Sequence, residues 1–150
     1  EQQNIKDLRN LSFIKKDVRD LTYFDDKEFD LIYSNSLFEH INSFDEQKKL
    51  AGEISRIGKH YFIQTPNYYF PIEPHFLFPF FQFLPVSWKT KLIKKYDLGW
   101  YKKQKDEDKA RELAESVRLL KKGELKQMFP GGKIYSEKYF LLNKSFIIYS

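Results

Sequence analysis

The chain has 150 residues, 41% of them hydrophobic and 31% charged, with a formal net charge of +5 and no cysteine. That length holds one domain with a real core and is short for two, and the apolar share excludes a disordered tail. Without cysteine there is no disulfide and no thiolate metal site, which fits a reducing, cytoplasmic setting. No apolar run reaches the ~18–20 residues that span a bilayer, no secretory signal is visible, and the lysines are scattered along the chain, as on a solvated surface. The positive charge still permits an acidic partner or an anionic membrane surface, whereas no motif or dense basic stripe points to nucleic acid.

The chain opens on Glu1 and its single methionine is Met128, which predicts a processed or truncated product. Ile5 and Leu8 stand at helical spacing in the polar first ten residues, as in the last turns of a helix. Leu11 to Asp17 predicts a first strand, Tyr23 to Glu28 an acidic turn, and Phe29 to Ser34 a buried strand. Small polar residues follow at Ser34-Asn35-Ser36, then a helix-like Leu37 to Ile41. Two short apolar runs ending in polar loops suit an open parallel sheet, whose ligands bind beyond the strands' carboxyl ends.

Ser43 and Glu46 have capping-box spacing, and the helix they open carries Leu50, Ala51, Ile54 and Ile57 on one face. Gly58 is expected to close it with a positive φ. His60 to Thr65 reads as the next strand, stopped by Pro66, so that strand, helix and strand form a βαβ unit. From Asn67 to Pro85, Pro71, Pro74, Pro79 and Pro85 preclude a long helix. A loop of that length, dense in aromatic residues, is more often functional than disordered. Beyond it the spacing predicts a helix over 87–96 with Trp88, Leu92 and Tyr96 as its stripe. A charged helix follows over 106–120, burying Ala110, Leu113, Ala114 and Val117, and then a short one over 122–129. Two strands, 133–142 and 144–149, end the chain as a hairpin turning near Asn143.

These pieces resemble the C-terminal two thirds of a class I S-adenosylmethionine-dependent methyltransferase, of the broad bacterial small-molecule or glycan type. The residues that carry the likeness are Asp17, Leu21, Phe24, Asp26, Phe29-Asp30-Leu31-Ile32, Ser34 and Glu39-His40-Ile41. It resumes with Gly123-Glu124-Leu125 and runs through Lys144 to Ile148. The resemblance implies an α/β, Rossmann-like open sheet, lacking its first two strands and ending in an antiparallel hairpin. The whole chain would be a single partial domain with an aromatic acceptor-side insert at about 66–104. In the family's sheet order, 3-2-1-4-5-7-6, two strands normally separate the strand ending at Asp17 from the one ending at Ser34. The first strand is therefore expected to pair differently, to swap with another copy, or to fray.

The resemblance also implies S-adenosyl-L-methionine as cofactor. The Asp17 carboxylate would accept from the adenine amine while the Val18 N–H donates to the ring. Ser34, Asn35 and Ser36 would face the methionine end. From the residues alone, Asp17 reads equally as a strand end or turn cap, and Ser34 to Ser36 as a helix-initiating loop. The six glycines form no G-x-G pattern after a strand, so the turn that cradles the cofactor's carboxypropyl end is missing and the chain alone is expected to be inactive.

On the acceptor side, a hydroxyl profits from a general base. His75 is the candidate, with Glu73 orienting it or acting as the alternate, and Asn67, Tyr68 and Phe76 are candidate substrate contacts. His75 as a polar loop residue bonded to backbone, and the aromatics as a lid over the sheet, are the plainer readings. The implied function is methyl transfer to an oxygen of a small-molecule or glycan/lipid-linked acceptor, with peripheral membrane contact possible. The alternative is a truncated, non-catalytic module acting as an interaction surface. Metal dependence is not expected, because His40, His60 and His75 lack paired ligand spacing.

Overall fold

The computed structural model describes residues 11–150; the helix expected around Ile5 and Leu8 lies outside the described residues. At the centre is a four-stranded sheet. Strands β1 (Phe29–Asn35) and β2 (Gly58–Pro66) run parallel, with Phe29 opposite Gly58 and Asn35 opposite Gln64. Helix α1 (Phe44–Ile57) crosses between them, its first turn capped by Ser43 Oγ, which accepts from the Glu46 N–H at 3.2 Å. Downstream come α4 (Lys122–Met128), β5 (Lys133–Tyr139) and β6 (Leu142–Tyr149). Strand β6 inserts antiparallel beside β2, with Thr65 opposite Phe146, and β5 closes the far edge as the other arm of the hairpin. The resulting order, β1-β2-β6-β5, is the 4-5-7-6 portion of the sheet order expected from sequence.

Periodicity decides what is buried. Leu50, Ala51, Ile54 and Ile57 of α1 are all buried, and with Leu125 and Met128 of α4 they cover one face of the sheet against Ile63, Phe146 and Ile148. The opposite face keeps Leu31 and Tyr33 of β1 58% and 66% exposed. Phe29 to Ser34 is thus a strand, as expected, but a half-covered one. It forms the sheet's edge, and the described residues place no helix over its outer face.

Residues 67–120 build a second, smaller core. A two-residue hairpin, β3 (Ile72–Glu73) with β4 (Phe78–Pro79), leads into α2 (Val86–Lys95) and α3 (Glu107–Glu115). Phe76, Phe81, Ile93, Leu98, Ala110 and Ala114 meet inside it, with the Phe76 and Phe81 rings stacked at 4.2 Å. In α2 the inward face is Thr90 and Ile93, while Trp88 and Tyr96 point outward, so the expected Trp88-Leu92-Tyr96 stripe is not the buried one. Helix α3 ends at Glu115, five residues short of expectation, with Ser116 Oγ donating to the Leu113 carbonyl at 2.9 Å.

Three further expectations are corrected. Leu11 to Asp17 forms no strand and is mostly exposed, because the strands that would ladder with it are not in this sheet. Within this one chain the segment is unpaired. Gly58 has φ −97, ordinary extended backbone. Its lack of a side chain answers to packing instead, since a Cβ there would lie 2.6 Å from Ile32 Cγ1 and 2.9 Å from the His60 carbonyl oxygen. The closing hairpin turns at Phe140-Leu141 and not at Asn143, with Phe140 at φ 53. Asn143 pairs with Lys138 next to a register shift in β5.

Ile63 is fully buried at the middle of β2 between both layers of the main core. Ile63→Ala is expected to cost about 2–5 kcal/mol, the range for emptying a packed aliphatic site. Urea unfolding measures it, and a loss below ~1 kcal/mol would mean that the site collapses or is less packed than described.

Candidate active site

The parallel strands β1 and β2 end side by side, and the chemistry-bearing side chains gather beyond those ends. After β1 the chain turns through Ser36, whose φ of 52 is left-handed and whose N–H donates to the Gln64 carbonyl at 3.1 Å. A single 3-10 turn, Phe38–His40, follows. It presents Glu39 inward and His40 outward. Glu39 is 0% exposed; one carboxylate oxygen, Oε2, accepts from Thr65 Oγ1 at 3.2 Å, and the other, Oε1, has no partner among the described residues. Burial pushes its pKa above the usual carboxylate range, its own backbone N–H, the nearby imidazoles and the Thr65 bond only partly offsetting it.

The turn is anchored from below. Gln47 of α1 donates to the Phe38 and Arg118 carbonyls at 2.8 and 3.2 Å, and accepts from Arg118 Nη1 at 2.6 Å. The Arg118 N–H in turn donates to the Glu39 carbonyl at 2.7 Å, and its guanidinium also pairs with Glu124. A buried amide thus ties the turn, α1 and the segment before α4 into one unit, as buried polar groups must be bonded to persist.

His75 arrives from the β3–β4 hairpin. Glu73 is buried and its carboxylate has three partners. Oε2 accepts from the His75 and Phe76 N–H groups at 2.8 and 2.6 Å, and Oε1 lies 2.7 Å from His75 Nδ1. A carboxylate only accepts, so it holds the proton on Nδ1 and leaves the Nε2 lone pair free. Burial lowers the His75 pKa; the Glu73 hydrogen bond and the negative charges of Glu73 and Glu39 outweigh it, and the net shift is upward. The ring meets His40 edge-on, with centroids 4.9 Å apart. Behind it, Gly99 at φ +53 packs so closely that a Cβ would lie 2.5 Å from the His75 carbonyl oxygen.

Two cavities flank this cluster. One, of about 470 Å³, opens between Ser36, Gln64 and the apolar wall of Phe70, Ile72, Pro74 and Leu77. The other, of about 230 Å³, lies between Asp17, Val18, Leu37, His40 and Ile41. Sequence reasoning named Asp17, Val18, Ser36, Glu73 and His75, and each borders a cavity or the cluster between them. Asn35 is exposed beside Ser36, and the Ser34 hydroxyl is buried without a partner among the described residues. Asn67 lines the larger cavity, yet its amide is spent on structure: Nδ2 donates to the Asn143 carbonyl at 2.7 Å and Oδ1 accepts from the Tyr69 N–H at 3.1 Å. Tyr68 packs against Phe83 and Lys121 on another side, and Phe76 is in the second core.

Residues 1–61 match the family model of the methyltransferase domain. A crystal structure of a SAM-dependent methyltransferase from Methanosarcina mazei superposes with a TM-score of 0.52 over 89% of this chain and 63% of that one, at 11% identity. Residues 1–61 are thus similar in sequence to that family, and the chain shares the fold of the archaeal structure. Two uncharacterised proteins from strains of Mycobacterium tuberculosis are each 39% identical over 59 residues, 39% of this chain. The chain covers about a fifth of the length of those relatives, 20%.

The implied cofactor can be tried against the smaller cavity. Its apolar walls, Val18, Leu37 and Ile41, suit an adenine ring, but the Asp17 carboxylate is turned onto Arg19, with Nη2 at 2.6 Å holding its pKa down to about 2. An exposed ion pair of this kind is weak, so the carboxylate can exchange Arg19 for an amine. The residues present therefore fit the adenine end of the cofactor, and no glycine-rich turn is available for its other end.

Glu39, His40, Thr65 and Gly99 border this site, and none of them is among the candidate site residues read from the sequence. Gly99→Ala is expected to shift the His75 backbone and to lower stability by at least about 1 kcal/mol, because it combines a left-handed φ with a backbone clash. Gly131→Ala, where a Cβ would meet nothing within 4 Å, serves as the neutral control. Equal melting temperatures for the two variants would remove Gly99 from the support of His75.

Proposed function

We propose that this protein transfers a methyl group from S-adenosyl-L-methionine to an oxygen of a small-molecule or lipid-linked acceptor, with His75 as general base and Glu73 as the residue that orients it. The observation that carries this reading is the Glu73–His75 pair, its Nε2 left free at the strand ends where the fold gathers its polar groups. The cofactor, when bound, supplies an electrophilic methyl group. The chain's own task is positioning, since alignment of nucleophile and methyl lowers the barrier most, together with acceptance of the hydroxyl proton at Nε2.

Asp17, Val18 and the backbone around Ser34 to Ser36 are the cofactor contacts in this reading. The acceptor enters the larger cavity past Asn67 and lies along Phe70, Ile72 and Leu77, walls that suit an apolar chain or ring. Around that mouth Ile72, Leu77 and Phe80 are exposed, and the hairpin tip leaves Phe140 and Leu141 85% and 94% exposed. So much bare apolar surface next to a cavity, on a chain of net charge +5, favours a lipid-linked acceptor met at a membrane surface.

One observation favours a second reading, a non-catalytic methyltransferase-like module: Asp17 is engaged with Arg19. Calorimetric titration of S-adenosylhomocysteine into the whole protein separates the two, binding supporting the enzyme and its absence the module. In the whole protein, His75→Ala is expected to lower turnover by roughly 10²–10⁴-fold, the worth of a general base, with cofactor affinity unchanged. Turnover equal to the parent's would exclude His75 as the base. Phe140→Ser with Leu141→Ser is expected to abolish co-sedimentation with vesicles containing anionic lipid; retention of binding, or no binding by the parent, would remove the membrane from this account.

A further inference from the structure

The cluster between the two cavities has the composition of a metal site. Glu39, His40 and His75 each offer one ligand atom, and these three atoms lie within 4.8 Å of one another. Two imidazoles and one carboxylate form a donor set that methyl transfer to an oxygen does not require. We propose that Glu39, His40 and His75 bind a divalent transition-metal ion of the zinc or cobalt class.

Three independent features support this. The first is Glu39 Oε1, a fully buried carboxylate oxygen that lacks a hydrogen-bond partner among the described residues. A buried carboxylate left half-satisfied is costly, and a cation at that oxygen removes the cost. The second is the Glu73–His75 bond of 2.7 Å. Metal-ligating imidazoles almost always give their other N–H to a carboxylate or carbonyl, which fixes the ring and makes the ligating nitrogen more basic. Glu73 does this to Nδ1 and leaves Nε2 as the donor atom. The third is the edge-on approach of the two imidazoles, 4.9 Å between centroids, which brings two rings able to ligate a metal together from segments remote in sequence.

Ligand atoms at the ends of two zinc bonds of about 2.1 Å lie at most about 4.2 Å apart. The present spread of up to 4.8 Å must contract on binding, and His40 is the exposed member of the three. Imidazole donors select zinc, cobalt, iron or nickel over magnesium and calcium, which prefer all-oxygen sites. Three protein ligands leave a fourth position open, as in catalytic rather than structural zinc sites. His40 also lines the nucleoside-side cavity, so the open position has a route to solvent. While an ion sits on Nε2, that nitrogen cannot take a proton; the metal-bound and metal-free forms are therefore chemically distinct. The inference rests on the three groups themselves and not on the reading of His75 as a base.

The test is titration of chelator-treated, untagged protein with Co²⁺, followed by its visible ligand-field absorption. The parent is expected to develop the bands of a low-coordinate nitrogen–oxygen site and to lose them to equimolar Zn²⁺. His40→Ala, at an exposed position that leaves the core intact, is expected to lose the bands, and so is His75→Ala. Glu73→Gln, which weakens only the outer bond, is expected to lower the affinity about 10–100-fold. His60→Ala, on the exposed side of β2, should change nothing. Absence of bands in the parent, or equal affinity in the parent and His40→Ala, overturns the proposal, as does an equal loss in His60→Ala. Because the readout is binding, it stands or falls separately from the effect of His75→Ala on turnover.

Discussion

The position of β2 is the constraint on which the remaining structure depends. It pairs with β1 on one side and β6 on the other, so every side chain of its buried face is sandwiched and its register cannot slip without turning the core residues outward. Ile63 and Thr65 are neighbours two apart on the same face. The first closes the hydrophobic core, and the second holds the Glu39 carboxylate at the strand end. Packing and polar site are thus consecutive positions on one ladder. Parallel pairing with β1 adds that both strands end together, which is why the segments that follow, 36–41 and 67–75, meet although they are remote in sequence.

Those two segments meet in a particular way. The turn at Phe38–His40 is fixed by the buried Gln47 amide and the Arg118 backbone. The hairpin bearing His75 is fixed by Glu73, which caps the backbone of residues 75 and 76 and orients the imidazole with the same carboxylate. Each rests on its own core: the turn on the sheet and helices α1 and α4, the hairpin on Phe76 and Phe81 over α2 and α3. The site is therefore a seam between two separately packed units. Such seams suit ligand binding, because a shift of one unit against the other alters the gap without unfolding either.

Much of the fold was legible in the sequence because its signals are local. The three- and four-residue spacing of Leu50, Ala51, Ile54 and Ile57, the Ser43 cap and the apolar run before Pro66 all report short-range physics, and the strands and helix they predict are present. The misses were those in which tertiary context overrides local preference. Asn143 is the stronger turn residue by type, yet the ladder with β5 places the turn at Phe140-Leu141. Gly58 stands where a helix-ending glycine belongs, but it is needed for its missing Cβ beside Ile32. Trp88 looked like a core anchor from its spacing; the second core forms against Thr90 and Ile93 instead.

The site was half legible for the same reason. Glu73 and His75 are two residues apart, so their pairing could be read from the chain. His40 and His75 could not be joined by any spacing rule, since what unites them is the shared end of two parallel strands. Glu39 was hidden by its type: a Glu at the start of a helical turn is usually a solvated, dipole-complementing residue. Here the turn is wedged between β2 and the Arg118 segment, so the same side chain is driven into the interior. An acid buried without full compensation costs stability, and this one sits beside two imidazoles where the strands end. That burial is why Glu39 stands out in the structure and not in the sequence.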